Sequence, residues 1–359
     1  MNDAPPRCRV SAPGRICLFG EHQDYLGLPV IAAAVDLRIG IESSPRTDGL
    51  LVVEMPDIGE TARIDPTVDQ TYARHRDYLR SAVNVLRRKG LTWSRGFTAV
   101  IRSAIPINAG VSSSSALTVM WLRFLLETAD QPPRYAAEDL ARWGYQAEVT
   151  EFGEPGGMMD HYCAALGGLL CIDTRPPFAA QSIDADLDGF VIGNSLEPKA
   201  TLETLAQTRR DVTDGIARLH EVMPAFDLTC TPLAEVEGLF KYLHAGPARR
   251  LRANLVNRNI TVEARRALAE GDHVKIGHLL TLHHAQLRDG LDLSTPKIER
   301  MIEASLAAGA VGAKINGSGG GGTMFAFAPG HQQEVAEAIR REGGDPHIVR
   351  IDEGARTDC

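Results

Sequence analysis

The sequence has no long hydrophobic run and no excess of positive charge. None of its apolar segments approaches the roughly 20 residues that a helix needs to span a bilayer. The formal net charge is -8, which argues against general binding to nucleic acid or to a membrane surface. A few basic side chains gathered in one cleft would still attract an anionic substrate. The opening stretch 1–9 is short and polar and lacks the pattern of a signal peptide. We therefore expect a cytoplasmic protein without nucleic-acid or membrane partners.

Sequence patterns typical of several site types are also missing. The six cysteines include no CxxC pair and no histidine at the spacing of a metal site. His278, His283 and His284 lie close together, but they lack the HExxH spacing, so positions on a helix face explain them better. The chain also lacks the Gly-x-x-x-x-Gly-Lys-Ser/Thr phosphate loop. These absences argue against a disulfide framework, a zinc-protease site and a standard P-loop enzyme.

The sequence does contain a glycine- and serine-rich segment at 106–116. It follows a strand-like apolar run and leads into a helical pattern whose apolar side carries Leu117, Met120, Trp121, Phe124 and Leu125. Such a loop before a helix presents unpaired N–H groups and the positive end of the helix dipole to an anion, usually phosphate. The alternative is a serine-rich cap on an ordinary helix. The candidate phosphate-binding residues are Pro106, Asn108, Gly110, Ser112, Ser113, Ser114 and Ser115.

Three other segments combine glycine with polar side chains. The cluster at 20–27 contains two carboxylates, a histidine and a tyrosine between apolar runs, which is costly unless it serves a site; a simple turn is the alternative. The segment 154–161 places Asp160 just before an apolar helical run, where a carboxylate can also be an N-cap. The segment 311–322 is rich in glycine and precedes a strand.

Hydrophobic periodicity predicts a mixture of strands and helices, with helices dominating after residue 195. We place a domain boundary there, which divides the chain into residues 1–195 and 196–359. Strands are predicted near 8–10, 16–20, 30–41, 168–174, 189–193, 323–328 and 347–351, with a hairpin at 50–54 and 60–64. Helices are predicted over 71–88, 136–150, 201–222, 233–243, 249–268, 274–287, 297–308 and 332–342, and a loop followed by a helix over 106–130.

The order of these glycine-rich segments resembles the GHMP kinases, the superfamily of galactokinase, homoserine kinase, mevalonate kinase and phosphomevalonate kinase. The resemblance covers about 11–328 and leans to galactokinase. Ala12-Pro13-Gly14-Arg15 followed by Gly20-Glu21-His22-x-Asp24-Tyr25 looks like the galactokinase sugar signature. Gln146-Ala147-Glu148, twelve residues before Asp160, is similar to the galactokinase spacing between its metal carboxylate and its catalytic aspartate.

The resemblance implies a two-domain α+β fold, with an N-terminal domain like domain 2 of ribosomal protein S5 and a ferredoxin-like C-terminal domain. It also implies ATP-dependent phosphorylation of a monosaccharide, most simply at the anomeric C1 hydroxyl. Asp160 would accept the proton of that hydroxyl, and Arg15 would hold Asp160 ionised and stabilise the transferring phosphoryl group. Ser114 and Glu148 would hold Mg²⁺, which prefers oxygen ligands. The alternative for Glu148 is a solvated helix carboxylate.

The resemblance assigns further residues to the two substrates. The sugar would be bound by Glu21, His22, Asp24, Tyr25 and Gly157. ATP would be approached by the serine-rich segment, by Gly317 and Gly319 of the last loop, and by Tyr78 on the adenine side. The protein would be a monomer or a small homo-oligomer.

The chain departs from galactokinase at several positions around the sugar. Gln23 and Leu26 stand where threonine and asparagine are usual, Cys17 stands for asparagine, and His161 stands for glutamine. The family's sugar-contacting tyrosine falls near Ala206. Galactose is therefore the first expectation, with another hexose, a deoxysugar, a uronic acid or a heptose as alternatives. A catalytically silent sugar- or ATP-sensing regulator also remains open, and the Glu21–Tyr25 cluster disfavours an isoprenoid-pathway kinase.

Overall fold

The computed structural model describes residues 8–107, 109–154, 156–198 and 201–358, and within helix α5 it describes no side chains before residue 206. The strands of these ranges are β1 (Arg9–Phe19), β2 (Val30–Arg46), β3 (Leu51–Met55), β4 (Glu60–Ile64), β5 (Gly96–Ser103), β6 (Leu169–Asp173), β7 (Ala179–Ser182), β8 (Phe190–Asn194), β9 (Gly312–Asn316), β10 (Thr323–Phe327), β11 (Asp345–Val349) and β12 (Arg356–Asp358). The helices are α1 (Tyr78–Arg87), α2 (Ser113–Glu127), α3 (Ala137–Glu148), α4 (Met159–Leu166), α5 (Thr201–Val222), α6 (Leu233–Val236), α7 (Ala245–Glu270), α8 (His273–Ala285), α9 (Pro296–Ala307) and α10 (Gln332–Arg341).

The larger sheet is built around the long strand β2, which pairs antiparallel with β1, β5 and β6. Its strand order is β12-β1-β2-β5-β3-β4, with β6 and β7 continuing from β2. The first part of β2 is buried on both faces, whereas farther along Ile39 and Ile41 are buried and Glu42 is exposed. This alternation is expected where only one face of a strand is covered. The predicted hairpin forms as β3 and β4.

Helix α2 lies at the centre of the larger domain. Met120, Trp121, Phe124 and Leu125 are fully buried, as their spacing predicted, whereas Leu117 is only half-buried. Leu122 on another side is buried as well. A helix that is apolar all round belongs inside a core rather than at a surface. Because α2 is held on several sides, its N-terminus is a rigid place for a binding loop.

The smaller sheet has the antiparallel order β11-β8-β10-β9 and is covered by α9 and α10. Strand β8 lies before residue 195 in the chain, yet it pairs with β10 and β11 in this second sheet. Strand β12, near the other end of the chain, returns to pair with β1. Each sheet therefore contains a strand from the other side of the predicted boundary at residue 195. The boundary itself stays a prediction.

Several helices differ from the sequence prediction at their ends. The helix predicted from residue 71 begins at Tyr78, because the Asp77 side chain accepts the Arg80 N–H and caps it there. Helix α2 begins at Ser113, after the predicted loop, and α6 ends at Val236, where a 3₁₀ segment takes over. No helix in the described part of the chain is long and apolar enough to cross a membrane.

Candidate active site

A cleft of about 210 Å³ gathers most of the residues that the sequence singled out. Its walls come from β1, the loop after β1, the N-terminus of α2, the end of α3, the start of α4 and the loop after β9. The predicted residues in these walls are Arg15, Glu21, His22, Asp24, Tyr25, Tyr78, Gly110, Ser112, Ser113, Ser114, Ser115, Glu148, Gly157, Asp160 and Gly317.

The loop before α2 leaves the first turn of that helix uncapped. Ser112 occupies the N-cap position in the left-handed conformation, with φ 60°, and its side chain makes no capping hydrogen bond. Gly110 also has a positive φ, 95°, which a residue with a Cβ adopts only at a cost. An ordinary serine cap would engage the first-turn amides. Here those amides remain available to an anion at the positive end of the helix dipole.

Arg15 and Asp160 form a paired unit at the floor of the cleft. Arg15 Nε lies 2.8 Å from Asp160 Oδ1, and Nη2 lies 3.1 Å from Oδ2. The third guanidinium nitrogen, Nη1, donates to the carbonyl oxygen of Gly110. This contact fixes the arginine against the loop that precedes α2. The pair therefore lies beside the predicted phosphate position.

The environment of Asp160 keeps its carboxyl ionised. Burial by itself raises the pKa of Asp160, but the adjacent Arg15 guanidinium outweighs burial and holds the pKa below its usual value. Asp160 lies in the first turn of α4, whose N-cap is Met158 and has no side-chain capping bond. The alternative role of Asp160 as an N-cap is thus not the one it takes. An ionised carboxylate facing a cleft can accept a proton.

The other end of the cleft is acidic. Asp24 packs directly over Gly157, where an added Cβ would lie 1.9 Å from Asp24 Oδ2. Burial, and then repulsion from Asp160, raise the pKa of Asp24 to about 7. Glu21 is also buried beside the cleft. Glu21, Asp24 and Asp160 therefore bring three carboxylates to one small volume, and Asp160 is the one that is paired with Arg15.

His22 is held in one orientation by two hydrogen bonds. Its Nε2 lies 3.1 Å from the carbonyl oxygen of Ser318, and its Nδ1 lies 3.0 Å from the Tyr25 hydroxyl. Because a carbonyl only accepts, Nε2 carries the proton and Nδ1 accepts from the tyrosine. Burial lowers the pKa of His22, so the neutral ring is favoured. His22 thereby joins the first polar cluster to the last glycine-rich loop.

Comparison with known proteins supports this arrangement of segments. Residues 1–45 match the galactokinase galactose-binding signature, residues 77–168 match the N-terminal domain of GHMP kinases, and residues 264–345 match the C-terminal one. The mevalonate kinase of Pyrococcus abyssi (strain GE5 / Orsay) is 31% identical over 363 residues, which cover 97% of both chains. The chain belongs to the GHMP kinase family. Members of this family are ATP-dependent kinases, so the resemblance and the enzyme class are confirmed.

Other relatives of this GHMP kinase are named galactokinase. The galactokinase of Haemophilus influenzae (strain PittGG) is 28% identical over 343 residues, which cover 94% of this chain and 88% of that protein. The crystal structure of Lactococcus lactis galactokinase complexed with galactose superposes with a TM-score of 0.84 at 21% identity, covering 99% of this chain and 96% of the other. The two-domain mixed α/β fold of GHMP kinases is thereby confirmed.

The donor set at Ser114 and Glu148 fits a magnesium ion that is brought in with a nucleotide. The hydroxyl and the carboxylate line the same cleft, and His161 Nε2 lies 2.8 Å from Glu148 Oε2. Because both partners of that contact are buried, the carboxylate is held in one orientation. In the described ranges no three His, Cys, Asp or Glu side chains are grouped to hold a metal. Mg²⁺ typically takes one or two protein ligands and completes its shell with water and phosphate oxygens.

Several expected residues lie elsewhere. Gly319 packs against Leu293, and neither it nor Pro106 lines the cleft. Asn108 is outside the described residues. Gln23 does not point to the acceptor, since its side-chain amide donates to the carbonyl oxygen of Asn254. Ala206 lies in a separate surface depression with Arg209 and Arg210.

Sequence reasoning missed two residues that hold the site together. The Asn316 side-chain oxygen accepts the Cys17 N–H at 2.9 Å, and its amide nitrogen donates to Gly110 O at 2.8 Å. Lys314, which is fully buried, donates to Glu21 and to Cys17 O. Both residues belong to β9, within the last glycine-rich signature. The available signal was that these two polar residues stand in a segment that is otherwise mostly glycine and apolar residues.

Proposed function

We propose that this kinase transfers the γ-phosphoryl group of ATP, with Mg²⁺, to the anomeric hydroxyl of a neutral monosaccharide, with galactose as the first candidate. The observation that carries the proposal is the acidity of the acceptor end. Glu21, Asp24 and Asp160 line it, and the two cations in contact with these carboxylates are already paired, Arg15 with Asp160 and Lys314 with Glu21. Carboxylates accept hydrogen bonds from sugar hydroxyls but repel an anionic acceptor.

The chemistry assigned to the cleft needs little from the protein beyond positioning and charge. The attacking hydroxyl would lie near Asp160, which accepts its proton as the new O–P bond forms and ADP leaves. Arg15 stays protonated because its interactions with Asp160 and Glu21 outweigh burial, so it can stabilise charge on the transferring group. Bound Mg²⁺ would neutralise charge on the phosphates. Ser114 and Glu148 would hold the ion.

The competing acceptor is mevalonate, since relatives of similar identity are named mevalonate kinase. Mevalonate carries a carboxylate, and both arginines among the described residues that line the cleft are already paired with carboxylates, Arg15 with Asp160 and Arg76 with Glu154. Arg209, whose guanidinium lies 6.0 Å from the centre of the Tyr25 ring, is outside those walls. Asp24 Oδ2 instead lies directly over Gly157, where it can accept a hydrogen bond from a polyhydroxylated ligand. The match to the galactose-binding signature supports the same choice.

The test is ATP consumption with a panel of acceptors, using wild type and Asp160→Asn side by side. The panel contains galactose, other free hexoses, a deoxysugar, a heptose, a uronic acid and mevalonate. Asp160-dependent turnover of a neutral sugar is the expected result, and NMR of the product identifies the phosphorylated carbon. Turnover of mevalonate alone would overturn the proposal. Tight sugar binding without any turnover would instead favour the sensing role.

A further inference from the structure

The cleft meets a second cavity, of about 420 Å³, along a short shared wall. Apolar side chains such as Met55, Ile107 and Leu117 line part of the second cavity, and charged ones such as Arg74 and Asp57 line another part. Four residues line both spaces: Arg76, Tyr78, Ser113 and Ser114. A nucleotide whose base occupies the second cavity and whose γ-phosphate reaches Asp160 must lay its phosphates across this wall. This inference therefore rests on the proposed function.

Charge in the described cleft is unbalanced for a nucleotide. Its walls contain five carboxylates, those of Glu21, Asp24, Glu148, Glu154 and Asp160. The arginines among the same lining residues are two, and all three guanidinium nitrogens of Arg15 are already engaged with Asp160 and Gly110. Arg76 is the other, and it stands at the shared wall. It is the cation best placed to meet the phosphates.

Arg76 is held at that wall by a carboxylate partner. Its Nε lies 2.5 Å from Glu154 Oε1, and its Nη2 lies 2.7 Å from Oε2. This two-point contact is the geometry that a guanidinium also uses for phosphate. The Arg76 side chain is 37% exposed and that of Glu154 is 12% exposed, so the arginine is the partner that solvent and ligands reach.

The backbone of Arg76 is in an unusual conformation. Its φ is 64°, a left-handed conformation that costs a residue with a Cβ about 1 kcal/mol or more. The Tyr78 N–H donates to its carbonyl oxygen at 2.9 Å, and the next residue, Asp77, caps α1. Such strained positions cluster at ligand-binding sites, where the surrounding structure maintains them. Here the strain directs an arginine to the wall between the two cavities.

We propose that Arg76 binds the phosphates of ATP, and that it does so by exchanging the Glu154 carboxylate for phosphate oxygens when the nucleotide enters. In the free enzyme Glu154 keeps the guanidinium oriented at the shared wall. On binding, the bidentate contact passes from the carboxylate to the more highly charged phosphate. Arg76 is thus a substrate-binding residue, and Glu154 is its positioning residue.

The test is direct binding of ATP, ADP and adenosine, measured by calorimetry on wild type, Arg76→Gln, Glu154→Gln and the double variant. We expect Arg76→Gln to weaken ATP and ADP about tenfold to hundredfold, as for lost hydrogen bonds to a charged group. Adenosine affinity should stay unchanged, because adenosine has no phosphate. Glu154→Gln should leave ATP affinity unchanged or increase it. Any such increase should be smaller in the double variant, in which Arg76 is also replaced.

Arg88→Gln is the matched control. Arg88 pairs with Glu151 across the same two chain segments, but neither residue lines the two cavities. It should therefore leave all three affinities unchanged. Equal losses for ATP and adenosine in Arg76→Gln, or no loss at all, would overturn the role of Arg76. If wild type itself binds no ATP, the proposed function fails instead.

Discussion

Lys314 Nζ lies 3.1 Å from Glu21 Oε2, and both side chains are buried. The same ammonium donates to the carbonyl oxygen of Cys17 at 2.8 Å. This ion pair joins β9 to the loop after β1, and so it connects the last glycine-rich signature to the first. Each charge is stable inside the protein only because the other is present.

Removing one partner of this pair should destabilise the fold strongly. Lys314→Met leaves the Glu21 carboxylate buried without its cation, and we expect a loss of about 3–5 kcal/mol in the free energy of unfolding. Denaturant titration measures it. Adding Glu21→Gln should recover part of the loss. The control is Lys275→Met, since the Lys275–Glu263 pair is also 3.1 Å long but exposed and should change stability by about 1 kcal/mol or less. Equal effects of the two single variants would contradict a special role for burial.

The contact between Asp24 and Gly157 predicts that a substitution at Gly157 changes the KM for the acceptor but not the KM for ATP. In Gly157→Ala the new Cβ would lie 1.9 Å from Asp24 Oδ2, so the carboxylate must rotate away from the acceptor. We expect the KM for the acceptor to rise about tenfold, which corresponds to a lost hydrogen bond to a charged group, while the KM for ATP stays unchanged. Steady-state kinetics with each substrate varied tests this.

Gly238→Ala provides the matched control for that substitution. A Cβ at Gly238 meets no atom within 4 Å, and its backbone needs no positive φ. Both Michaelis constants should therefore stay at their wild-type values. A rise of both constants in Gly157→Ala would point to general distortion of the cleft rather than to the displaced carboxylate.

The raised pKa of Asp24 predicts that the folded protein loses stability as pH rises. Its pKa is raised from the ordinary 3.8 to about 7 in the folded protein, so the folded state binds the proton more tightly than the unfolded state does. The contribution favours folding fully below about pH 4, declines as pH rises toward 7, and stays constant above it. The decline is a few kcal/mol, with about 4 kcal/mol as the upper bound.

The measurement is the free energy of unfolding across this pH range for wild type and Asp24→Asn. The difference between the two proteins isolates Asp24 from the other carboxylates, whose contributions cancel. The variant should gain stability relative to wild type as pH rises. A difference that is independent of pH would show that Asp24 titrates at its ordinary value.

Asp160→Asn should separate chemistry from nucleotide binding. The amide keeps the shape of the side chain but accepts no proton, and loss of a general base typically costs about 10²–10⁴-fold in kcat. ATP affinity should remain within about twofold, since the phosphates bind the loop before α2. An ADP-release assay and a direct ATP titration check the two halves. Unchanged turnover would remove Asp160 from the mechanism.

The sequence was most informative where one short segment carries the chemistry. The loop before α2 and the segment containing Asp160 were singled out from local patterns, Glu148 was assigned from the resemblance to galactokinase, and the structure gathers all three in one cleft. The start of α1 was placed too early, because apolar periodicity does not reveal that Asp77 caps the helix at Tyr78. Boundaries of this kind depend on one side-chain hydrogen bond.

The remaining site residues could not be predicted because their role depends on distant partners. Arg76 is ordinary in sequence, and its importance comes from a left-handed backbone and from Glu154, 78 residues away. Lys314 and Asn316 lie in a glycine-rich segment whose pattern says nothing about Glu21 or Cys17. Only the packing of β9 against β1 brings these side chains together.

The bond between Cys17 and Asn316 also bears on how the enzyme folds. It joins residues 299 positions apart in the chain, and Lys314 reaches Cys17 across 297. Contacts of such long range form late and slowly, because the intervening chain must be ordered first. A ribosome-bound chain that lacks β9 would therefore have its phosphate loop but no finished acceptor site. Activity should emerge in one step, at the end of folding, with no partly active intermediate before it.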